Sequence, residues 1–251
     1  MYKLSQLEQQ KGIFHVFSEK SDGSMSFKGV EINEIKERRR KFFGNFDEIH
    51  YEKVVVMRPF FAEVGSEIVI VTEKDTGRGI ESPESVIPAE ALITNTRGIA
   101  LMLTVADCSP IILYDPNMGV LALIHASRLM TGQRIVESTL QKMVDVFHVK
   151  QKDLIVGIGP GIKRESYILD YVPTEFEQGE WESFIDRDES GKRHIDIPGI
   201  NREMLINKGV SRETIEISPI DTARSDRFFS HYRDSRIGIR EGFFATIVCL
   251  K

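Results

Sequence analysis

Two side chains with soft, titratable chemistry stand out in this chain of 251 residues: Cys108 and His125. Each closes a dense apolar run within residues 91–132, the first in TVADCSP and the second in VLALIHA. Cysteine and histidine at neighbouring strand ends can form a nucleophile–base pair or two corners of a zinc site. The spacing alone also fits an inert buried cysteine beside an unrelated histidine. No CxxC, HExxH, GxSxG, Walker A or dinucleotide glycine fingerprint accompanies them, and the GPGI loop at 159–162 is too short to read as a phosphate cradle.

Positioning this pair falls to the strands around it. Alternation and β-branched content predict strands near 91–95, 99–105, 111–114 and 119–125, joined by tight turns that imply antiparallel pairing. Cys108 precedes Ser-Pro, and proline removes a ladder donor, so the thiol is expected at a sheet edge. The DPNMG turn at 115–119 reverses the chain, so the strand ending in His125 is expected to return beside the strand preceding Cys108.

Further strands are read at Ile13–Phe17, Lys53–Met57, Ser66–Thr72, Leu154–Ile158, Ile215–Ile217 and Gly242–Leu250. Ile32, Ile35, Phe42 and Phe43 match an amphipathic helix, with the RRRK run at 38–41 mostly on its wet side; an anion site at Arg38 to Arg40 is the sharper alternative. The clearest helix is 132–148, closed by His148, and a short one is read at Asn201–Lys208. Residues 73–90 read as a long surface loop, 170–200 as irregular, and the Arg- and aromatic-rich 223–238 as a loop bordering a site. His15 and His148 read as structural.

A formal charge of −5 with both signs mixed argues against a nucleic-acid groove. No apolar stretch reaches the roughly 20 residues that span a bilayer, and the start lacks a signal-peptide core, so a cytoplasmic protein is expected. Two widely separated cysteines make a disulfide framework improbable, and Cys249 reads as a small buried hydrophobe. No repeat or linker marks a boundary, so 1–251 reads as one domain.

The runs ALITNTRGIALMLTVADCSPIILYDP and VLALIHA, followed by IGPGIKRESY and FFSHYRD, resemble the YfiH/YlmD family, also called the laccase-domain or polyphenol oxidase family. The resemblance covers most of the chain in the same order. It implies a single α+β domain with mixed, largely antiparallel sheets packed between helical layers (α/β/β/α). It also implies purine nucleoside chemistry of the phosphorylase or adenosine deaminase type, with one branch described as a peptidoglycan-editing amidase. In that family a histidine of QVHG, the cysteine of ADC and the histidine of HAGWRG hold zinc. Here Cys108 and His125 match, whereas AEVGSE at 62–67 places Val64 at the first histidine, and HASRLM at 125–130 replaces HAGWRG. The C-terminal GR becomes Gly242-Phe243 or a displaced Gly238-Ile239-Arg240.

The expected centre is therefore Cys108 and His125, with Arg233 holding an anion and Ser230, Asp107 and Tyr167 meeting a small nucleoside-like substrate. Two protein ligands are one fewer than a catalytic zinc site normally has, so zinc would need Glu63, Glu67, His15 or His231 as a substitute. A degenerate binder that keeps the pocket, and an amidase using Cys108 as nucleophile and His125 as base, are the competing readings.

Overall fold

The computed structural model describes residues 1–59, 67–176, 179–238 and 242–251. Its architecture follows from alternation. Almost every residue of β5 (Ala91–Thr94), β6 (Ala100–Val105), β7 (Ser109–Asp115) and β8 (Val120–Ala126) is buried, so both faces of each strand are covered. Leu101, Leu103, Ile112, Leu121 and Leu123 share one apolar layer. Ala100 and Met102 face a second, and Ile111, Leu113, Ala122 and Ile124 a third. Successive residues thus point to different layers, as a two-residue period requires.

The layers separate two stacked sheets and their outer helices. One sheet runs β1 (Ile13–Phe17), β14 (Phe244–Leu250), β6, β2 (Val54–Arg58), β4 (Ile87–Pro88). The other runs β13 (Ile215–Ile217), β9 (Ile155–Ile158), β7, β8, β5, β3 (Ile68–Ile70). The β7–β8, β5–β8, β7–β9, β1–β14 and β6–β14 pairs are antiparallel, and β2–β6, β2–β4, β3–β5 and β9–β13 are parallel. Phe42 and Phe43 of α2 (Ile32–Phe43) cover the outer face of the first sheet. α3 (Arg128–Gly132), α4 (Ile135–Phe147) and α5 (Ile197–Asn207) cover the second. The short α1 (Ser5–Glu8) delivers Leu7 to the layer between the sheets. The expected α/β/β/α arrangement is the one observed. Among the described residues no helix is long and apolar enough to cross a membrane.

Several elements differ from expectation. Arg39 is not on the wet face of α2: it stands four residues after Ile35 and three before Phe42, on the apolar stripe, and is 1% exposed. Its guanidinium donates to the carbonyls of Met25 (2.7 and 3.0 Å), Gly79 (2.9 Å) and Ile80 (2.8 Å), so it clamps two loops to the helix instead of offering an anion site. Residues 73–90 do not run over the surface throughout; Ile80, Val86, Ile87, Ala89 and Glu90 are buried. Within 170–200, β11 (Ile185–Arg187) and β12 (Arg193–Ile195) pair antiparallel, and β10 (Ile168–Leu169) joins them. α5 starts earlier than read because the Asp196 carboxylate accepts from Gly199 N at 2.9 Å and Pro198 suits the first turn. Residues 223–238 contain α6 (His231–Arg236), capped by Ser230, whose Oγ accepts from Arg233 N at 3.1 Å.

Candidate functional site

β6 ends in one sheet and β7 begins in the other, so the corner Ala106 to Cys108 is where the chain crosses between them. Asp107 makes the turn at φ +88°, a conformation that L residues rarely adopt and that surroundings must enforce. They do so by hydrogen bonding. The Asp107 carboxylate accepts from Thr222 Oγ1 (2.6 Å), from Tyr232 N (2.7 Å) and from Ser230, while its carbonyl accepts from Ile162 N (2.9 Å). Burial raises its pKa, and those donors, with nearby His231, pull it back. Gly161 lets the GPGI loop approach: a Cβ there would lie 2.9 Å from Ser109 Oγ and 3.0 Å from Asp107 O. Asp107 and Ser230 therefore shape the corner that presents Cys108.

The His125 strand does not return beside the strand preceding Cys108. β8 pairs with β7, the strand that follows it, with Ser109 opposite Ala126 and Pro110 opposite His125. Nor is Cys108 at an edge strand: β7 lies inside the sheet between β9 and β8, where the Pro110 carbonyl still accepts from Gly159 N at 2.8 Å. The hairpin nevertheless brings the pair together. His125 has the parity of Leu121 and Leu123 and turns into the layer between the sheets, against which half-buried Cys108 also packs. The two side chains interact electrostatically, Cys108 being the leading influence that raises the His125 pKa.

A third member went unread in the sequence. Glu90 precedes β5 and lies beside His125 across the β5–β8 ladder, where Ala91 pairs with Ile124 and His125 N donates to Glu90 O at 2.9 Å. Glu90 Oε2 lies 2.6 Å from His125 Nδ1, with Glu90 fully buried and His125 3% exposed. Burial alone would lower the His125 pKa; Cys108 and then Glu90 outweigh it and hold it at about 9. With Nδ1 committed to Glu90, Nε2 is the nitrogen left to serve the thiol. Parity held the signal: Glu90 is two residues before Leu92, so it shares the face that His125 uses.

Tyr167 lies on the Cys108 side of the site. Burial raises its hydroxyl pKa to about 12, with Arg128 opposing and Cys108 reinforcing the shift. Arg233 is placed differently from an anion-binding arginine. Nε donates to Asp234 Oδ1 (2.8 Å), Nη1 to the carbonyls of Thr222 (2.9 Å) and Ser225 (2.7 Å), and Nη2 to that of Phe228 (3.0 Å). Three of its five N–H groups thus tie down the loop before α6, and a fourth goes to Asp234 within the helix.

Among the described residues, the donor set does not fit the three-ligand zinc centre. Among the described residues no cluster of three His, Cys, Asp or Glu side chains is placed to hold a metal, and the Glu90 carboxylate that reaches the pair is spent on Nδ1. Val64 and Glu63 lie outside the described residues, as do Ile239 and Arg240; a valine has no lone pair to offer. The Glu67 side chain is exposed, while its carbonyl accepts from Glu90 N at 2.9 Å. His15 is structural: Leu4 N donates to its Nε2 at 2.8 Å, and burial, with Lys3, lowers its pKa to about 4. His231 is exposed at the start of α6 and acts electrostatically on Asp107.

Residues 30–251 match the family model described as multi-copper polyphenol oxidoreductase laccase. A purine nucleoside phosphorylase of Bacteroides thetaiotaomicron is 34% identical over 158 residues, covering 61% of this chain and 57% of that protein. One of Corynebacterium glutamicum is 29% identical over 192 residues, 76% of this chain and 73% of that one. A protein named adenosine deaminase RL5, from an unknown prokaryotic organism, is 26% identical over 181 residues, 70% and 68% of the two chains. The matches to the Bacteroides relative and to one from Deinococcus radiodurans span only 57% and 56% of those proteins. In fold, the chain superposes on YlmD from Geobacillus stearothermophilus with a TM-score of 0.86 at 23% identity, covering 99% and 94% of the two chains. Bacillus licheniformis YfiH gives 0.84 at 20% identity, covering 95% and 93%.

Proposed function

We propose that this chain, which belongs to the multi-copper polyphenol oxidoreductase laccase family, processes purine nucleosides by phosphorolysis through a Cys108–His125–Glu90 relay. The observation that carries the reading is the buried Glu90–His125 hydrogen bond, with His125 in turn coupled electrostatically to the half-buried thiol. The relatives named purine nucleoside phosphorylases support the substrate class.

Phosphorolysis breaks the C1′–N9 bond, forms a C1′–O bond to phosphate, and needs a proton on the departing base. His125 is too buried to meet substrate, whereas Cys108 is not. Cys108 touches the base and passes it a proton, His125 replaces that proton, and the phosphate that attacks C1′ returns one. Glu90 is the positioning residue: its carboxylate orients the ring and stabilises the imidazolium while the proton is in transit. No step is assigned to zinc, because the donor set among the described residues does not fit it.

Incubating the purified protein with inosine, guanosine and adenosine, with and without phosphate, tests the reading. Phosphate-dependent release of free base and ribose 1-phosphate, lost in Cys108→Ala, is the expected result. Ammonia release without phosphate would replace phosphorolysis by deamination, and no turnover would leave a binding protein.

A second reading is favoured by the same triad, since a thiol, a base and an orienting carboxylate are also the parts of a cysteine amidase. A thioester trapped on Cys108 with an amide substrate would establish it.

A further inference from the structure

The small sheet of β10, β11 and β12 carries a charge arrangement that the Cys108 centre does not use. β11 and β12 pair with Ile185 opposite Ile195 and Arg187 opposite Arg193. Side chains two apart share a face, so these four stand on one side of the hairpin, and Asp186 and His194 on the other. Like charges directly opposite each other destabilise a ladder unless something neutralises them. Among the described residues nothing does. Arg187 makes no hydrogen bond or ion pair there, and Arg193 donates by Nη1 to the neutral Gly191 carbonyl at 2.6 Å. Both guanidiniums flank that glycine, since a Cβ on Gly191 would lie 3.4 Å from Arg187 Nη2. The acidic neighbours of Arg187 in the chain are engaged elsewhere. Asp186 pairs with Arg164 at 2.8 Å, and Asp188 accepts from Ser190 N (2.9 Å) and Lys192 N (3.0 Å), with its other oxygen 3.2 Å from His194 Nε2.

The same two arginines line a cavity of about 510 Å³, a size that holds drug-sized ligands. Glu90, Cys108 and His125 are not among its lining residues. Val172, Phe176 and Ile185, which pack on the apolar layer beneath α3, α4 and α5, give it an apolar wall. Glu182, an exposed side chain, is the one carboxylate among the described lining residues and is paired with neither guanidinium. Two guanidiniums against one carboxylate leave the cavity with a net positive charge. A carboxylate ligand would neutralise one fork and strand the other, whereas a phosphate dianion presents oxygens to both.

We infer that this cavity is a second small-molecule site and that its ligand is a phosphomonoester with an apolar or aromatic body. Arg187 and Arg193 take the phosphate, and Val172, Phe176 and Ile185 take the body. The assignment is independent of the reaction at Cys108.

Calorimetric titration of the whole protein with 1-naphthyl phosphate tests it. That probe should bind about tenfold or more tightly than inorganic phosphate, which lacks the body, and than 1-naphthol, which lacks the charge. Combining Arg187→Ala with Arg193→Ala should weaken the probe by about tenfold or more. Should the double variant fail to fold, Arg187→Ala alone decides, since that side chain is exposed and unpaired. Glu182→Gln should strengthen binding about two- to fivefold by removing a repelling charge, a gain that damage to the fold does not produce. Excess inosine should leave the probe in place, because a nucleoside without phosphate offers the arginines no charge. Equal affinity for the three probes, unchanged affinity in the arginine variants, weaker binding in Glu182→Gln, or displacement by inosine overturns the assignment.

Discussion

Glu90 is the residue on which the character of the His125 ring turns. Replacing it with glutamine keeps the shape and removes the charge that faces Nδ1, so the His125 titration, followed by NMR, should move down from about 9. Turnover should fall roughly 10²-fold, the lower range for a positioned acid–base group, with KM little altered. Cys108→Ala should lower the same titration, because Cys108 is the larger of the two raising influences. An unmoved midpoint in both variants would mean that the ring does not answer to its neighbours. A separate expectation concerns metal: zinc should be well below one equivalent as purified, and Val64→His should raise it by supplying a third ligand. Elemental analysis decides, with Cys108→Ala in the Val64→His background as the control that abolishes the gain. Stoichiometric zinc in the unaltered protein would contradict it.

Among the elements, those whose environment is set by near neighbours were the legible ones. The strand at Ile13–Phe17, the helices α2 and α4 and the run of strands from β5 to β8 all show in the spacing of apolar residues. Cys108 and His125 were legible as strand-end residues, but not which strands meet, since pairing is a long-range property: β6 leaves for the other sheet at the corner where Cys108 stands. Glu90 was hidden in a segment read as solvent-exposed because its punctuation by Gly, Pro and Ser does not tell a surface loop from a buried one. Arg39 was hidden inside a charged run for a similar reason. Its removal is a test of the fold: Arg39→Met leaves the carbonyls of Met25, Gly79 and Ile80 without their donor in a buried place. Unpaired buried polar groups cost about 1–3 kcal/mol each, so a loss of roughly 3 kcal/mol in a urea melt is expected after partial relaxation. A change near zero would show that water replaces the guanidinium.

On the scale of the whole molecule, two buried histidines bend the stability profile in opposite directions. His15 has a folded pKa of about 4, below the 6.5 of an unperturbed ring, so the unfolded chain takes up the proton first and stability falls as the pH drops from about 6.5 toward 4. His125 has a folded pKa of about 9, so its contribution is complete below about 6.5 and is lost as the pH rises toward 9. Urea midpoints across pH 4 to 9 should therefore peak near 6.5, the unperturbed value. His15→Gln, which keeps an acceptor for Leu4 N, should flatten the acid limb, and Glu90→Gln the alkaline one. The pairing of β1 with β14, from Ile13 opposite Leu250 to Phe17 opposite Thr246, bears on how such a chain is made. On the ribosome, the first apolar strand emerges more than 200 residues before the strand that flanks it in the sheet. The five-stranded sheet closes only once Phe244–Leu250 has emerged. Until then the nascent chain carries IFHVF as an unsatisfied edge, a natural substrate for chaperones and a seed for aggregation when synthesis outpaces them.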